Sequence, residues 1–469
     1  MVELFTKNGY NAERSPTGDR KAERYDAEMN LLTDNVKQIY FRYLLLALGS
    51  TIIVSVYSTV DMIAVGQYEG PIGSAALSCV NPIWTIIFSV GLLFGVGGSV
   101  FMSVSRGAGE REEGNRYFTF ALLAALGISM AMTMLLMVYL APLLRFFGAK
   151  DQVLPCALSY ARWVVRATPA FLLGQVLVCF IRNDGSPGLC TKATVTGGVV
   201  NMFGDYFFVF VLDMGAEGAG LATALGQLAG CSILIAYFFR DQCGLRLVAG
   251  SFQLWRLKKI FSAGFAPCII DAAFGVVVVL FNRQIMAYAG SVELAVFGTI
   301  ANCAILFQCL FYGVGQAVQP IVSTNFGAGH TSRVEQVLKM AMITTAVMGC
   351  VFFSLAFFAS SFLLQVYMDV TAEVMAIGPG IFRIYGFTFL FTGINVVAGY
   401  YLQSILKTAQ SVILSLTRGY ILCSVLVFVL PAMFGFHAIW YTMPLTEGIT
   451  VLLSAAFLKG KCMPARKES

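Results

Sequence analysis

Two polar side chains interrupt the apolar stretch VVNMFGDYFFVFVLD, which runs from Val199 to Asp213. They are Asn201 and Asp205, and because they are four residues apart they share one face of any helix drawn through the stretch. A carboxylate with an amide one turn away supplies oxygen atoms suited to a proton or to a hard cation such as Na⁺. Whether this chemistry is available depends on the surroundings of the stretch.

The composition indicates that those surroundings are lipid. Of 469 residues, 58% are hydrophobic and 12% are charged, and the mean hydropathy is +0.77. A soluble protein averages about 25% charged residues, so we predict an all-α integral membrane protein. Apolar runs of about 20 residues, the length that crosses a bilayer, recur along the chain. Twelve spans are predicted, at 39–66, 72–100, 117–147, 153–182, 189–212, 217–239, 257–288, 294–322, 335–366, 374–404, 409–433 and 436–459.

Basic residues concentrate in the loops on one side of these spans, as in the segment from Arg106 to Arg116 and around Lys258 and Lys259. By the positive-inside rule both termini are cytoplasmic, in what we expect to be a bacterial cytoplasmic membrane. Residues 1–38 and 461–469 are predicted to be cytoplasmic tails, the first disordered, and no signal peptide is indicated. The net charge of +6 follows from the loop bias and does not indicate nucleic acid.

One half of the chain repeats the other. GVGGSVFMSVSRGAGERE (95–112) resembles GVGQAVQPIVSTNFGAGHTSR (313–333) six spans later, and the same alignment brings Asp61 near Asn282. We therefore predict two pseudo-symmetric six-helix lobes around a central cavity, related by an axis along the membrane normal. Their predicted bounds are 39–240 and 261–460, joined by a cytoplasmic linker at 241–260. Since the two lobes complete each other, a monomer is expected.

Ionisable residues at membrane depth cost about 2.5–3.5 kcal/mol and mark functional sites by default. Counted from the outer ends of their spans, Asp61, Tyr160, Asp205 and Thr223 share a layer about 9–14 Å deep at 1.5 Å per residue. Asn201 lies one turn deeper. These five are the predicted cation-coupling site, because burial and a neighbouring carboxylate both disfavour the charged form of a carboxylate, so protons can be exchanged. The structural alternative is that Asp205 bonds Asn201 or a neighbouring helix only to fix packing, which contributes about 0.6–2 kcal/mol.

Other polar residues in the spans leave more than one interpretation open. Asp271 follows Pro267 by four residues and is a possible secondary acid. Arg418 and Glu447 are expected to form an ion pair, and with Asn282 they are assigned a role that is either lobe-stabilising or substrate-linked. No metal ion or cofactor is predicted, since the two histidines have no ligand-like neighbours.

The segment from Ile181 to Gln227 resembles the fourth-to-sixth-helix signature of the multidrug and toxic compound extrusion (MATE) family, R-x-x-G-x-P, N-x-x-x-D-(Y/P) and G-x-x-G-A-x-x-A-T. The two GAG loops and LQSILKTAQSVILSLTRGYIL are similar to the family too. The resemblance implies two six-helix lobes around a V-shaped cavity, and antiport of H⁺ or Na⁺ against organic, often cationic compounds. It also implies a site at Asp61, Tyr160, Asn201, Asp205 and Thr223. The tenth span lacks the acid known from the NorM-like branch, which favours the DinF-like branch.

Three hypotheses follow. The first is a cation-coupled exporter of small organic molecules. The second is a flippase for lipid-linked saccharides or another metabolite exporter on the same scaffold, which predicts a cationic groove that includes Arg162, Arg166 and Arg383. The third, an enzyme, is disfavoured because HExxH, GxSxG and clustered histidines are absent from the sequence, and a nucleotide-driven pump is disfavoured because GxxxxGK[ST] is absent. Membrane lipids are the other expected partners.

Overall fold

The computed structural model describes residues 30–251, 253–367 and 371–459, with the side chains of 271–275, 291 and 367 outside the described set. All regular elements within those ranges are helices. Most of the predicted tails, and the side chain of the candidate acid Asp271, therefore lie outside the described residues. Residues 35–38 of the predicted amino-terminal tail cap and begin the first helix.

The amino-terminal lobe contains the first seven α-helices. Its elements are α1 (Val36–Glu69), α2 (Pro71–Gly107), α3 (Arg111–Phe146), α4 (Val153–Arg166), α5 (Thr168–Asn183), α6 (Pro187–Gly204) with a π-helical continuation (Asp205–Val211), and α7 (Gly215–Ile235) with a 3₁₀ turn (Ala236–Phe239). The axes of α4 and α5 differ by 52° at Ala167, so this pair forms one broken span. Pro169 lies in the first turn of α5, where its missing N–H is tolerated.

The carboxy-terminal lobe contains the remaining nine α-helices. Within the described residues they are α8 (Leu254–Tyr288), α9 (Ser291–Gly327), α10 (Thr331–Phe358), α11 (Ser360–Tyr367), α12 (Ala372–Gly386), α13 (Thr388–Ser404), α14 (Thr408–Leu416), α15 (Leu422–Phe434) and α16 (Thr442–Leu458). A π-helical segment (Thr417–Ile421) joins α14 to α15, and a 3₁₀ turn (Phe436–Tyr441) precedes α16. The breaks at Ala359 and Phe387 fall within predicted spans and do not add new ones.

Within the described ranges, ten helical segments are long and apolar enough to cross a membrane, and the bent α4–α5 pair is an eleventh. The remaining predicted span, 257–288, lies within α8, whose 35 residues extend over about 50 Å at 1.5 Å per residue. The predicted all-α, twelve-span, two-lobe fold is confirmed. The helices are longer than the predicted spans: α2 ends at Gly107 and α9 at Gly327, because polar residues continue each helix beyond its apolar part.

The first helix of each lobe packs partly against the other lobe. On α1, Tyr40 and Tyr43 belong to an apolar core with Val318 of α9 and Val337 of α10. On α8, Ile260 belongs to a core of the amino-terminal lobe. The two lobes are therefore joined through the amino-terminal part of each helix.

Polar contacts join the two lobes at the same end of the helices. The Gln319 side chain donates to Ser99 Oγ at 3.2 Å, and the Tyr40 hydroxyl donates to Thr344 Oγ1 at 2.9 Å. A guanidinium nitrogen of Arg182 donates to the Gln316 side-chain oxygen at 2.7 Å. The lobes therefore contact each other at this end of the helices.

Glycines allow the backbones of the two lobes to contact each other directly. A Cβ atom on Gly107 would collide with the carbonyl oxygen of Thr324, and one on Gly327 would collide with the carbonyl oxygen of Val104. These two glycines begin the GAG triplets of the two repeats, so the repeated motif meets itself across the lobe interface. Here α2 and α9 cross backbone against backbone, which leaves no room for a side chain.

We predict that Gly107→Ala and Gly327→Ala each lower the thermal unfolding midpoint in detergent, because overpacking of this kind costs about 1–3 kcal/mol. Gly127→Ala on α3 is the matched control, since a Cβ there meets no atom within 4 Å. The control should leave the midpoint unchanged or raise it, as alanine favours a helix by about 0.5–1 kcal/mol. Equal midpoints for all three variants would refute the close crossing.

Candidate cation-binding site

Helices α1 and α4 contribute one half of a buried polar cluster. The Tyr160 hydroxyl donates a hydrogen bond to Asp61 Oδ2 at 2.7 Å. Both side chains are buried, with 2% and 9% of their surface exposed. The contact joins residues 99 positions apart in the sequence, so it depends on the packing of α4 beside α1.

Helices α6 and α7 contribute the other half. Asn201 Nδ2 donates to Thr223 Oγ1 at 3.1 Å, and the Thr223 hydroxyl donates to the carbonyl oxygen of Ala219, one turn back on its own helix. Thr223 also lies beside the Asp61 carboxyl group and the Tyr160 hydroxyl. The two halves therefore form one continuous cluster.

Small residues allow α6 and α7 to approach closely enough for this contact. A Cβ on Gly226 would lie 2.6 Å from the Gly197 carbonyl oxygen and 2.9 Å from the Asn201 Cβ. A Cβ on Gly204 would lie 2.8 Å from the Ala222 Cβ. Small residues at helix interfaces are the usual means of close packing in membranes. Any larger side chain here would push Asn201 away from α7.

Asp205 is fully buried and lies at the point where α6 changes geometry. It is the first residue of the π-helical segment that ends at Val211. A π-helical insertion rotates the residues on either side of it and is often found at functional sites. Asp205 lies close enough to Asp61 for the two carboxyl groups to interact electrostatically. The structure thus brings together all five residues of the predicted cation-coupling site.

Four oxygen atoms of this cluster have no hydrogen-bond partner among the described residues. They are Asp61 Oδ1, Asn201 Oδ1 and both carboxyl oxygens of Asp205, and each is buried. An ionised carboxylate that is buried without donors or a counter-charge is strongly disfavoured. Protons, or a cation that binds oxygen ligands, can neutralise the cluster. Its oxygen atoms therefore suit H⁺ or Na⁺.

Sequence reasoning missed Tyr57, which belongs to the same neighbourhood. Tyr57 lies one helical turn before Asp61 and interacts with it electrostatically. Its ring packs on α6, where Cδ1 lies 3.1 Å from the position of a Cβ on Gly198. The four-residue spacing from Asp61 was the signal that would have identified it.

The carboxy-terminal lobe contains a separate buried ion pair. Arg418 Nε donates to Glu447 Oε1 at 2.6 Å, and Asn395 Nδ2 donates to Glu447 Oε2 at 2.7 Å. Ser454 in turn donates to Asn395 Oδ1 at 2.8 Å. Asn395, a polar residue within an apolar span, was not predicted. Asn282 is half-buried on α8, and the roles assigned to it, Arg418 and Glu447 remain predictions.

Twelve membrane-crossing segments in two lobes, with polar groups buried at membrane depth, are the architecture of a membrane transporter. The family model described as MatE matches residues 47–207 and 267–430. The two matched ranges cover more than half of the chain and place one range in each lobe. The chain belongs to the MATE family of transporters and is not an enzyme.

Curated relatives extend over most of the chain. The multidrug export protein MepA of Staphylococcus aureus (strain NCTC 8325 / PS 47) is 21% identical over 410 residues, covering 86% of this chain and 89% of the relative. The MepA protein of Staphylococcus saprophyticus subsp. saprophyticus is 22% identical over 409 residues, with the same coverage.

Solved structures share the fold at low identity. A structure described as the outward-facing conformation of a multidrug resistance MATE family transporter has a TM-score of 0.85 and 18% identity, and the match covers 91% of this chain and 96% of that one. A MOP superfamily transporter from Pyrococcus furiosus Vc1 gives a TM-score of 0.84 with the same identity and coverage. At these identities the likeness establishes the fold.

We predict that Thr223→Val lowers the thermal unfolding midpoint, because it leaves the Asn201 amide without its partner; hydrogen bonds between membrane helices contribute about 0.6–2 kcal/mol. A second substitution, Asn201→Leu, removes the amide group that Thr223→Val leaves unpaired. The double variant should therefore lose less stability than the sum of the single variants, measured in a double-mutant cycle of detergent melting curves. Strict additivity would mean that the two side chains do not interact.

Proposed function

We propose that this chain is a secondary active antiporter that exports small organic compounds, often cationic, in exchange for H⁺ or Na⁺ by alternating access. The observation that carries the proposal is the cluster of unpaired buried oxygens on Asp61, Asn201 and Asp205. Relatives named multidrug export proteins support the direction and class of transport. A bacterial cytoplasmic membrane, cytoplasmic termini and a monomer are part of the proposal.

The proposed coupling follows from the charge of the cluster. Without a bound cation, Asp61 and Asp205 place two carboxylates at membrane depth, and their repulsion disfavours the close packing of α1 against α6. A proton or Na⁺ removes that repulsion and stabilises the packed arrangement. A bound cation and a bound organic substrate then favour different conformations, and the linkage between them is reciprocal.

Helix α1 connects the cation cluster to the interface between the lobes. Its outer half holds Asp61, whereas its cytoplasmic half packs through Tyr40 and Tyr43 into a core with the carboxy-terminal lobe. A change in packing around Asp61 therefore acts on a helix that also holds the lobes together. Two states of this helix are the proposed basis of alternating access.

The flippase alternative receives little support. Arg162 and Arg166 are exposed on α4, where the Arg166 guanidinium lies over the Trp163 ring at 4.9 Å. Arg383 is also exposed, and its Nε donates to the Phe357 carbonyl oxygen at 3.1 Å. The cation–π contact of Arg166 and the hydrogen bond of Arg383 join each arginine to a residue of its own lobe, so these contacts do not link the three arginines across the lobes. The position of the proposed acids in the amino-terminal lobe supports the DinF-like branch over the NorM-like one.

Asp205→Asn should reduce efflux of ethidium driven by a cation gradient at least tenfold, because an amide cannot exchange a proton or compensate a cation's charge. Efflux is measured in inverted membrane vesicles at equal protein content. Asp241→Asn, the same chemical change in an exposed cytoplasmic turn, is the control and should retain wild-type efflux. If the Asp205→Asn variant retained wild-type efflux, the proposed coupling role of Asp205 would be refuted.

The coupling ion is tested by imposing proton and sodium gradients separately on proteoliposomes. We expect one of the two gradients alone to drive dye transport, and Asp61→Asn and Asp205→Asn each to abolish that response, since both acids are proposed to hold the same cation. Transport that continues with neither gradient, or a response that survives loss of either acid, would contradict antiport through this site.

A further inference from the structure

The amino-terminal end of α8 presents one continuous exposed stripe. Leu254, Lys258, Phe261 and Phe265 are all exposed and follow one another at intervals of three or four residues, so they share one face of the helix. The opposite face is buried, with Ile260 in a core of the amino-terminal lobe. Because exposed phenylalanines of a membrane span face lipid, Lys258 lies on the lipid-facing side of α8, one turn before the apolar part of that stripe.

Lys258 is not neutralised by the protein. Among the described residues its ammonium group has no ion-pair or hydrogen-bond partner. Arg256 lies about 200° away around the helix, where it is buried and donates two hydrogen bonds to the Glu113 carboxylate at 3.1 and 2.9 Å. Glu113 is therefore held on the protein-facing side of α8 and does not pair with Lys258.

An aromatic residue lies beside this charge at the start of the span. Trp255 is 43% exposed, and its ring N–H donates to the Gln253 side-chain oxygen at 2.6 Å. The ammonium nitrogen of Lys259 lies 4.8 Å from the centre of the Trp255 ring and 5.9 Å from that of the Phe101 ring. Tryptophan is enriched where a bilayer meets water, because its ring is apolar and its N–H is polar. This end of α8 therefore has the composition of a segment that lies among lipid headgroups.

The connector that leads into α8 adds positive charge. Residues 240–259 contain five bases and one acid, Asp241, and Glu113 compensates one of those bases, Arg256. The first turn of α8 has no acidic residue and no side-chain cap, so the positive end of the helix dipole reinforces the charge of the bases. An anionic lipid headgroup is complementary to a surface of this kind.

We propose that the amino-terminal end of α8 is a binding site for an anionic phospholipid. The headgroup lies against Lys258, Leu254 and Trp255 reach into the boundary between headgroups and acyl chains, and one acyl chain runs along Phe261 and Phe265. The site does not depend on the proposed antiport. Since this end of α8 also packs on the amino-terminal lobe, the bound lipid contacts a helix that joins the two lobes.

The fluorescence of Trp255 reports directly on this lipid. The full-length protein is reconstituted in phosphatidylcholine bilayers that contain brominated phosphatidylglycerol or brominated phosphatidylcholine, whose bromine atoms quench a neighbouring tryptophan. The contribution of Trp255 is the difference between the wild type and a Trp255→Phe variant. We expect phosphatidylglycerol to occupy the site about fivefold more strongly than phosphatidylcholine, the effect of one base near an anionic lipid. Equal quenching of Trp255 by the two lipids would overturn the proposal.

Variants assign the preference to Lys258. Lys258→Gln should reduce the preference for phosphatidylglycerol to less than twofold, whereas Lys258→Arg keeps the charge and should retain it. Lys339→Gln is the matched control, because Lys339 is exposed on α10 one turn before the exposed Ile343 and the change removes the same charge from another helix. The control should leave the lipid preference at Trp255 as in the wild type. A preference that survives Lys258→Gln, or that falls equally in Lys339→Gln, would refute the site.

Discussion

An ionised carboxylate inside an apolar helix bundle needs a proton, a cation or several donors, and Asp205 receives no hydrogen bond from the described protein. This constraint organises the amino-terminal lobe. Asp61 obtains one donor from Tyr160, but its other oxygen is unpaired, as is the Asn201 side-chain oxygen. The protein therefore supplies acceptors in excess of donors at one buried position, which is the condition for reversible binding of a small cation. The close packing of α6 on α7 through small residues maintains that excess, because it excludes other side chains.

The two lobes share a backbone plan but differ in how their buried charges are balanced. In the amino-terminal lobe the acids lack a protein counter-charge, whereas in the carboxy-terminal lobe Glu447 has Arg418 and Asn395 as permanent partners. The guanidinium of Arg418 keeps its proton, so its ion pair with Glu447 supplies no exchangeable charge. We propose that the amino-terminal lobe binds the exchangeable cation. The interlobe crossing at Gly107 and Gly327 lets the two lobes act on each other without intervening side chains.

The sequence was most informative where a single physical rule dominates. Hydropathy was sufficient to predict twelve spans, and depth counting together with the family resemblance grouped Asp61, Tyr160, Asp205 and Thr223. Neither hydropathy nor depth counting predicts the local geometry of the backbone. The bend between α4 and α5 and the π-helical segment at Asp205 depend on how neighbouring helices pack. Tyr57 was missed because only its four-residue spacing from Asp61 distinguishes it from an aromatic residue of the apolar core.

The central claim is that Asp61 and Asp205 share one site and respond to protons as a unit. Infrared difference titration of the purified protein measures this directly, because it follows protonation of individual carboxyl groups. The account predicts that replacing either aspartate by asparagine shifts the titration midpoint of the other by about one pH unit or more, the coupling expected for interacting groups. Two carboxyl signals that titrate independently, each unmoved by loss of the other residue, would contradict it.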